Sequence, residues 1–246
     1  MKNSLNTRVL RELVEALNTL RRDDTVRVVL LTATGSTFCQ GIDLTALMHN
    51  NQDTRKKNAE NLCKGIKDFL KALVSFHKPI VAGVNGNAMG LGVTMLPLFD
   101  LVIATDKAEF FLPYSKLGQV PEGGATYTFP NILGKLQSTR LFMGHKVSAA
   151  EACSLGLASE SIWPATFQRE LLPKVALIAQ NAAQSMEATK ALMNHHLVTK
   201  LELSLESECR LLLQHWLSPQ FTMLCKRFLD SQLGILHMQK PVNLPL

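Results

Sequence analysis

The sequence predicts an α/β core followed by a helical region, and three observations support this prediction. Short apolar runs rich in β-branched residues alternate with helical periodicity through the first two-thirds of the 246 residues, a pattern typical of α/β folds. Glycine-rich turns follow three of the apolar runs. From about residue 167 onward the apolar pattern is helical throughout. We therefore expect a core over residues 1–166, a helical region over 167–233 and a tail over 234–246.

The core begins with a helix over about residues 9–20, and Asn6 or Thr7 is placed to cap its start. Further helices are predicted in the core over residues 55–76 and 148–155, and a helical stretch without assigned bounds follows the glycine-rich turn at residues 118–126. Buried or half-buried strands are predicted over residues 26–32, 79–84, 100–105, 108–111 and 159–163. The helical region should contain four helices, over residues 171–182, 185–197, 201–217 and 221–233. The residues after 235 lack such a pattern and are expected to form an ill-ordered end.

The composition of the chain indicates which classes of ligand and binding partner to expect. A formal charge of +6 and a pI near 9.1 permit an anionic ligand, but the basic residues are scattered along the chain. A nucleic-acid groove is therefore not predicted. The five cysteines are odd in number and form no CxxC pair, which indicates free thiols in a reducing compartment without a disulfide framework or metal site. Neither a membrane-spanning stretch nor a secretory signal is visible.

The most informative turn is residues 85–92 (NGNAMGLG), which lies between a buried strand and an apolar segment. A strand that turns through spaced glycines into a helix leaves amide groups free at the helix start. Such amides can hold negative charge, and glycine lets a ligand approach the main chain closely. A close crossing of helix and strand without any ligand explains this motif equally well, and both interpretations stay open at this point.

A later glycine-rich turn carries an acid, Glu122, between Pro121 and Gly123. If nearby apolar side chains such as Val120 and Tyr127 desolvate this carboxyl group, its pKa rises toward the range of a general base. Together with backbone amides as an oxyanion hole, such a base could remove a proton next to a carbonyl. On residue chemistry alone, an exposed loop carboxylate is the favoured alternative.

Several motifs resemble those of the crotonase (enoyl-CoA hydratase/isomerase) superfamily, in the same order. Residues 38–44 (FCQGIDL) resemble its F-x-x-G-x-D-L turn, and residues 85–92 resemble its N-G-x-A-x-G-x-G signature. Residues 120–124 (VPEGG) with 127–130 (YTFP) are similar to the isomerase branch, and 149–157 (AAEACSLGL) to the turn before the C-terminal helices. The likeness covers nearly the whole chain. It is strongest to Δ3,Δ2-enoyl-CoA isomerases and to the crotonase-like domains of chromodomain-Y-like proteins.

The resemblance implies a ββα spiral core, a helical trimerisation region and an acyl-CoA thioester whose carbonyl lies in an oxyanion hole. The two amides of that hole would belong to Ile42 and Leu91, and the base would be Glu122. Acyl-CoA is then the substrate or ligand, and neither a cofactor nor a metal is implied. The other substrate-binding residues would be Gly41, Asp43, Leu44, Gly90, Thr94, Tyr114 and Pro121.

The resemblance also separates two chemistries. Superfamily hydratases carry two glutamates, whose positions correspond here to Thr94 and Tyr114. Neither residue is a carboxylate, so water addition by that route should fail. Isomerisation needs one carboxylate, which removes a C2 proton from a 3-enoyl-CoA and returns it at C4, as in the oxidation of unsaturated fatty acids. A non-catalytic crotonase-like scaffold that binds CoA or chromatin corepressor partners stays open as the alternative.

Assembly, location and the start of the chain follow from the same resemblance. It implies a homotrimer or a dimer of trimers, built through the C-terminal helices. The implied compartment is the peroxisome, with mitochondrion and nucleus left open because no targeting signal is visible. Superfamily members begin with a β-hairpin that ends at an Asn-x-Leu-Asn segment, here residues 3–6. We therefore expect this hairpin to be missing. Either the chain is a truncated form, or its sheet has an uncovered edge.

Overall fold

Eight short strands form two four-stranded sheets in a computed structural model, which describes residues 3–232. All neighbouring strands of the first sheet are parallel, and only the last pair of the second sheet is antiparallel. The first sheet has the order β1 (Val29–Thr32), β3 (Ile80–Val84), β5 (Leu101–Thr105) and β8 (Glu160–Ile162). The second has the order β2 (Thr37–Cys39), β4 (Asn87–Met89), β6 (Glu109–Phe111) and β7 (Val147–Ser148).

Three times along the chain, one strand of the first sheet is followed by one strand of the second sheet and then by a helix. The consecutive strands are β1 and β2, β3 and β4, and β5 and β6. These helices are α2 (Gln52–Val74) after β2, α3 (Leu91–Thr94) after β4 and α4 (Tyr114–Leu117) after β6. The repeated strand–strand–helix unit confirms the expected spiral core of a crotonase-like fold. Short 3₁₀ helices, Leu44–Met48 and Leu96–Leu98, follow β2 and α3.

The remaining helices flank this spiral. They are α1 (Thr7–Arg22), α5 (Ala125–Leu133), α6 (Lys135–Phe142), α7 (Ala149–Ser154), α8 (Phe167–Ala179), α9 (Ala183–Trp216) and α10 (Pro219–Gln232). The helical C-terminal region is confirmed by α8 to α10. Within residues 3–232, no helix combines the length and apolar character that a membrane span needs.

Local chemistry explains the observed starts of the first elements. The side chain of Asn6 accepts a hydrogen bond from the amide of Val9 at 2.9 Å, so Asn6 is the cap of α1. The strand predicted over residues 26–32 begins only at Val29, whose amide donates to the carbonyl of Pro79 where pairing with β3 starts. Every residue of β3 is buried, as its continuous apolar run indicates.

One predicted break between helices is wrong. The helices predicted separately over residues 185–197 and 201–217 form the single 34-residue helix α9. Residues 198–200 (VTK) contain neither glycine nor proline, and β-branched residues lower helix propensity only slightly. The predicted ill-ordered end after residue 235 lies outside the described residues.

The core that positions the candidate site lies between the two sheets and the helices α2, α5 and α9. Phe38, Ala88 and Phe110 point into it from the second sheet. A smaller cluster, Val81, Ile103, Ile162, Phe167 and Leu171, packs the opposite face of the first sheet against α8. Packing on both faces holds the strand ends, and hence the loops that follow them, in fixed positions.

Candidate active site

Two glycine turns, one after β2 and one before α3, are in direct backbone contact. A Cβ atom on Gly41 would lie only 2.8 Å from the carbonyl oxygen of Met89 and 3.4 Å from the amide nitrogen of Leu91. Gly41 also has a φ of +73°, in the left-handed region that favours glycine. Only glycine at this position therefore allows the two turns to approach this closely.

The peptide between Gly41 and Ile42 is oriented by the segment that precedes α1. The amide of Leu5 donates to the carbonyl of Gly41 at 2.8 Å, and the amide of Asp43 donates to the carbonyl of Leu5 at 3.0 Å. The carbonyl and the N–H of one trans peptide point in opposite directions. The N–H of Ile42 therefore points away from Leu5, as an amide of the predicted oxyanion hole must if it is to face a ligand.

Glu122 lies against the second turn, in the loop between α4 and α5. Its Oε1 atom would be 3.2 Å from a Cβ on Gly90, and the nearby amide of Leu91 lowers the pKa of its carboxyl group. Leu91 is the first residue of α3, so this amide has no acceptor within the helix. The structure thus brings together Gly41, Gly90, Leu91 and Glu122, which the sequence assigns to one site.

Burial sets the protonation chemistry of Glu122. Its side chain is only 1% exposed, which excludes the alternative of an exposed loop carboxylate. Burial raises its pKa to about 8, and the negative charge of Glu208 acts in the same direction. The hydrogen bond from Gln119 and the nearby N–H of Leu91 and hydroxyl of Tyr114 partly oppose this rise. A carboxyl group with this pKa can be present as the base near neutral pH and can also release a captured proton.

Two hydroxyl groups lie beside this carboxylate. Thr94 is fully buried and its hydroxyl donates to the carbonyl of Gly90 at 3.5 Å. Tyr114 is 2% exposed, and its hydroxyl faces Thr94 and Glu122 but makes no close hydrogen bond within the described part of the chain. Burial, followed by the charge of Glu122, raises the pKa of Tyr114 well above its usual value. Both groups are therefore neutral near pH 7.

The other residues predicted to bind substrate have structural contacts in this chain. The carboxylate of Asp43 accepts from the amide of Thr45 at 3.0 Å and from its hydroxyl at 2.7 Å, which caps the 3₁₀ helix. Leu44 is buried in the main core, and Pro121 is half-buried beside Glu122. Roles for Asp43, Leu44 and Pro121 in binding a substrate stay predictions.

Sequence reasoning missed the contribution of α9 to the loop that carries Glu122. The indole of Trp216 donates to Oε1 of Gln119 at 3.0 Å, and Nε2 of Gln119 donates to Oε2 of Glu122 at 3.4 Å. The carboxylate of Glu208 accepts from the amide of Gly124 at 2.7 Å and from the amide of Thr126 at 2.9 Å. The detectable signal was the acid Glu208 among apolar residues at helical spacing, which indicates a buried and partnered carboxylate.

Comparison with known proteins agrees with this fold. The profile of the enoyl-CoA hydratase/isomerase family matches residues 1–231. The chain belongs to that family. A solved enoyl-CoA hydratase/isomerase from Pseudoalteromonas atlantica superposes with a TM-score of 0.82 at 28% identity, covering 93% of this chain and 88% of that one.

Two human proteins are similar to most of this chain. Chromodomain Y-like protein 2 is 41% identical over 217 residues, which are 88% of this chain and 43% of that protein. Enoyl-CoA delta isomerase 2 is 35% identical over 232 residues, which are 94% of this chain and 59% of that protein. The chain thus spans less than two-thirds of the length of either relative.

Proposed function

We propose that the protein isomerises 3-enoyl-CoA to 2-enoyl-CoA in the oxidation of unsaturated fatty acids. The observation that supports this most directly is the buried carboxylate of Glu122 against the amide of Leu91. The carboxylate of Glu208 is engaged by three donors of Gly124 and Thr126. This leaves Glu122 as the acid–base group at the glycine turns, and one such group is what a proton shift between two carbons requires.

The proposed steps use the chain's own groups. The thioester oxygen accepts hydrogen bonds from the amides of Ile42 and Leu91, which stabilise the negative charge that develops on it. The carboxylate of Glu122 removes a proton from C2, and the electron pair moves into the enolate. Collapse of the enolate forms the C2–C3 double bond while C4 takes the proton back from Glu122. The overall change moves one proton and one double bond.

Hydration is not proposed, because the hydroxyls of Thr94 and Tyr114 cannot activate water as carboxylates do at neutral pH. The test incubates the purified protein with 3-hexenoyl-CoA and follows both 2-hexenoyl-CoA and 3-hydroxyhexanoyl-CoA. The expected result is accumulation of 2-hexenoyl-CoA without the hydroxy product. Accumulation of the hydroxy product, or no conversion between about pH 6 and 10, around the pKa of the base, would contradict the proposal.

A second candidate function is a non-catalytic crotonase-like scaffold that binds CoA or chromatin corepressor partners. It is favoured by the higher identity to human chromodomain Y-like protein 2, 41% against 35% for the isomerase. Trp163, which is 61% exposed beside Pro164, offers a surface residue for a protein contact. Capture of a histone deacetylase by the chain, together with absent turnover of 3-hexenoyl-CoA, would favour the scaffold over the isomerase.

Assembly and location belong to the same proposal. We propose a homotrimer or a dimer of trimers, supported by three large apolar side chains of α9 that are strongly exposed in the single chain. They are Leu192 at 80%, Met193 at 77% and Leu203 at 61%. Light scattering of the purified protein measures this oligomeric state, and a monomer would contradict it.

The proposed location is the peroxisome. A fluorescently tagged protein should lie in peroxisomes, and a mitochondrial or nuclear signal would contradict that location.

A further inference from the structure

The orientation of the Gln119 side chain is set by a partner that can only donate. The indole N–H of Trp216 has no acceptor capacity, and it lies 3.0 Å from one end of the Gln119 amide. That end must therefore be the carbonyl oxygen Oε1. The NH₂ end is then turned toward Oε2 of Glu122, 3.4 Å away. Trp216, Gln119 and Glu122 are 0%, 7% and 1% exposed, so water does not compete for these bonds.

From this chain of hydrogen bonds we infer that Gln119 and Trp216 are positioning residues, which hold Oε2 of Glu122 so that Oε1 takes the substrate proton. The inference rests on the proposed isomerisation. Oε1 is the oxygen that lies against Gly90, the residue before Leu91, whose amide is assigned to the thioester oxygen. A carboxylate held through one oxygen presents the other in a single direction, which proton transfer requires.

Helix α9 holds the same loop at a second point. Glu208 lies eight residues before Trp216, about 12 Å along the helix, and binds the amides of Gly124 and Thr126 beyond Glu122. The loop is thus fixed on both sides of the base. His215 bonds the carbonyl of Gly118 through Nδ1 at 2.9 Å, a contact with the same loop that does not reach the carboxylate.

The titratable groups around Glu122 come from four elements. They are Glu208 of α9, Tyr114 of α4, Cys39 of β2 and Cys63 of α2. The pKa of each of these four groups is raised, those of Tyr114 and both thiols enough to keep them neutral in the working range. Donation by Gln119 lowers the pKa of Glu122. Loss of that bond should therefore raise this pKa further.

The first test compares pH profiles of kcat/KM for wild type, Trp216→Phe and Gln119→Met. Each variant should shift the ionisation of the base upward by about one pH unit, because a hydrogen bond to a charged group is worth about that much. At about pH 7 kcat should fall about tenfold and recover at higher pH, with KM little changed. The double variant should lose no more than Gln119→Met alone, since both act through one bond.

Two matched controls separate positioning from folding. Trp163→Phe makes the same tryptophan-to-phenylalanine change at an exposed position. It should leave the pH profile unchanged. His215→Gln removes a bond to the same loop and should also leave the ionisation of the base in place. A loss of rate in Trp216→Phe and Gln119→Met that is equal at every pH, or an unshifted profile in both, would overturn the inference.

A second measurement does not depend on turnover. In the Trp163→Phe variant, Trp216 is the one remaining tryptophan of the two in the sequence, so its fluorescence should titrate with Glu122 near the pKa of about 8. Glu122→Gln and Gln119→Met should each abolish this titration. A constant fluorescence from about pH 6 to 10 would overturn the inference. A normal titration in a protein without isomerase turnover would instead overturn the proposed function and support the contact.

Discussion

At the scale of single residues, the pKa of the Glu122 carboxyl group is set by burial on one side and by nearby hydrogen-bond donors on the other. A fully buried carboxyl group without partners would stay protonated far above neutral pH. Donors from Gln119, Leu91 and Tyr114 oppose burial and the charge of Glu208, and the resulting pKa is about 8. Near pH 7 roughly a tenth of the protein then carries the base in its ionised form.

Gly90 is the glycine whose missing side chain leaves room for Oε1 of Glu122. Its φ is +52°, and a Cβ there would lie 3.2 Å from Oε1 of Glu122. Gly90→Ala should therefore displace the carboxylate and lower the rate of isomerisation at least about tenfold, as misplacement of reacting groups does. The matched control is Gly35→Ala, with a φ of +84° and no atom within 4 Å. It should cost about 1 kcal/mol of stability and leave the rate unchanged, and equal rate losses would contradict this account.

At the scale of elements, the candidate site consists of three turns, the last of which contacts helix α9. The sequence predicts the three turns, but it does not predict this contact with α9. The turns after β2, before α3 and before α5 carry their glycines in short motifs, so Gly41, Leu91 and Glu122 can be found from local sequence. The bonds from Trp216 to Gln119 and from Gly124 to Glu208 join residues 97 and 84 positions apart. Local periodicity contains no information on such distant pairs.

The elements that sequence reasoning missed are those that tertiary contacts create. Strand β7 has two residues and exists through pairing with β6, and so short a run has no detectable period. Helices α5 and α6 form where the sequence indicates only a helical stretch without bounds after residues 118–126. Helices α1 and α2 agree with the prediction to within three residues at each end, because their apolar faces span several turns.

The cap of α1 gives a prediction at this scale. Asn6→Ala removes the acceptor of the Val9 amide and should lower the free energy of unfolding by about 1 kcal/mol. Asn18→Ala is the matched control, since Asn18 is an exposed residue inside the same helix and alanine has the higher helix propensity. Chemical denaturation measures both variants. A loss in Asn18→Ala equal to that in Asn6→Ala would contradict the capping role.

For the whole molecule, a buried base links stability to pH. The folded-state pKa of Glu122 is raised from 4.5 to about 8, so the folded state binds this proton more tightly than the unfolded state does. The stabilising contribution is complete below about pH 4.5 and is lost as pH rises through about 8. Retaining this base therefore lowers stability at the pH where the base works, a trade-off common at active sites.

Glu122→Gln should remove this dependence, because an amide does not titrate in this range. The variant should gain stability over wild type as pH rises from about 4.5 to 8, by up to about 5 kcal/mol for a shift of about 3.5 units. Glu151→Gln is the control of opposite sign, since hydrogen bonds from Ser148 lower the pKa of Glu151. Its replacement should reduce stability above that pKa. Parallel stability curves for Glu122→Gln and wild type would contradict the raised pKa.

The central claim is that Glu122 is the base of a 3-enoyl-CoA isomerase. The most direct measurement is the initial rate with 3-hexenoyl-CoA at about pH 9, where the base is ionised, for wild type, Glu122→Gln and Glu109→Gln. Glu109 is an exposed glutamate paired with Lys146 and serves as the control. We predict a loss of at least about 100-fold for Glu122→Gln and the wild-type rate for Glu109→Gln. An active wild type with an equally active Glu122→Gln would contradict the claim.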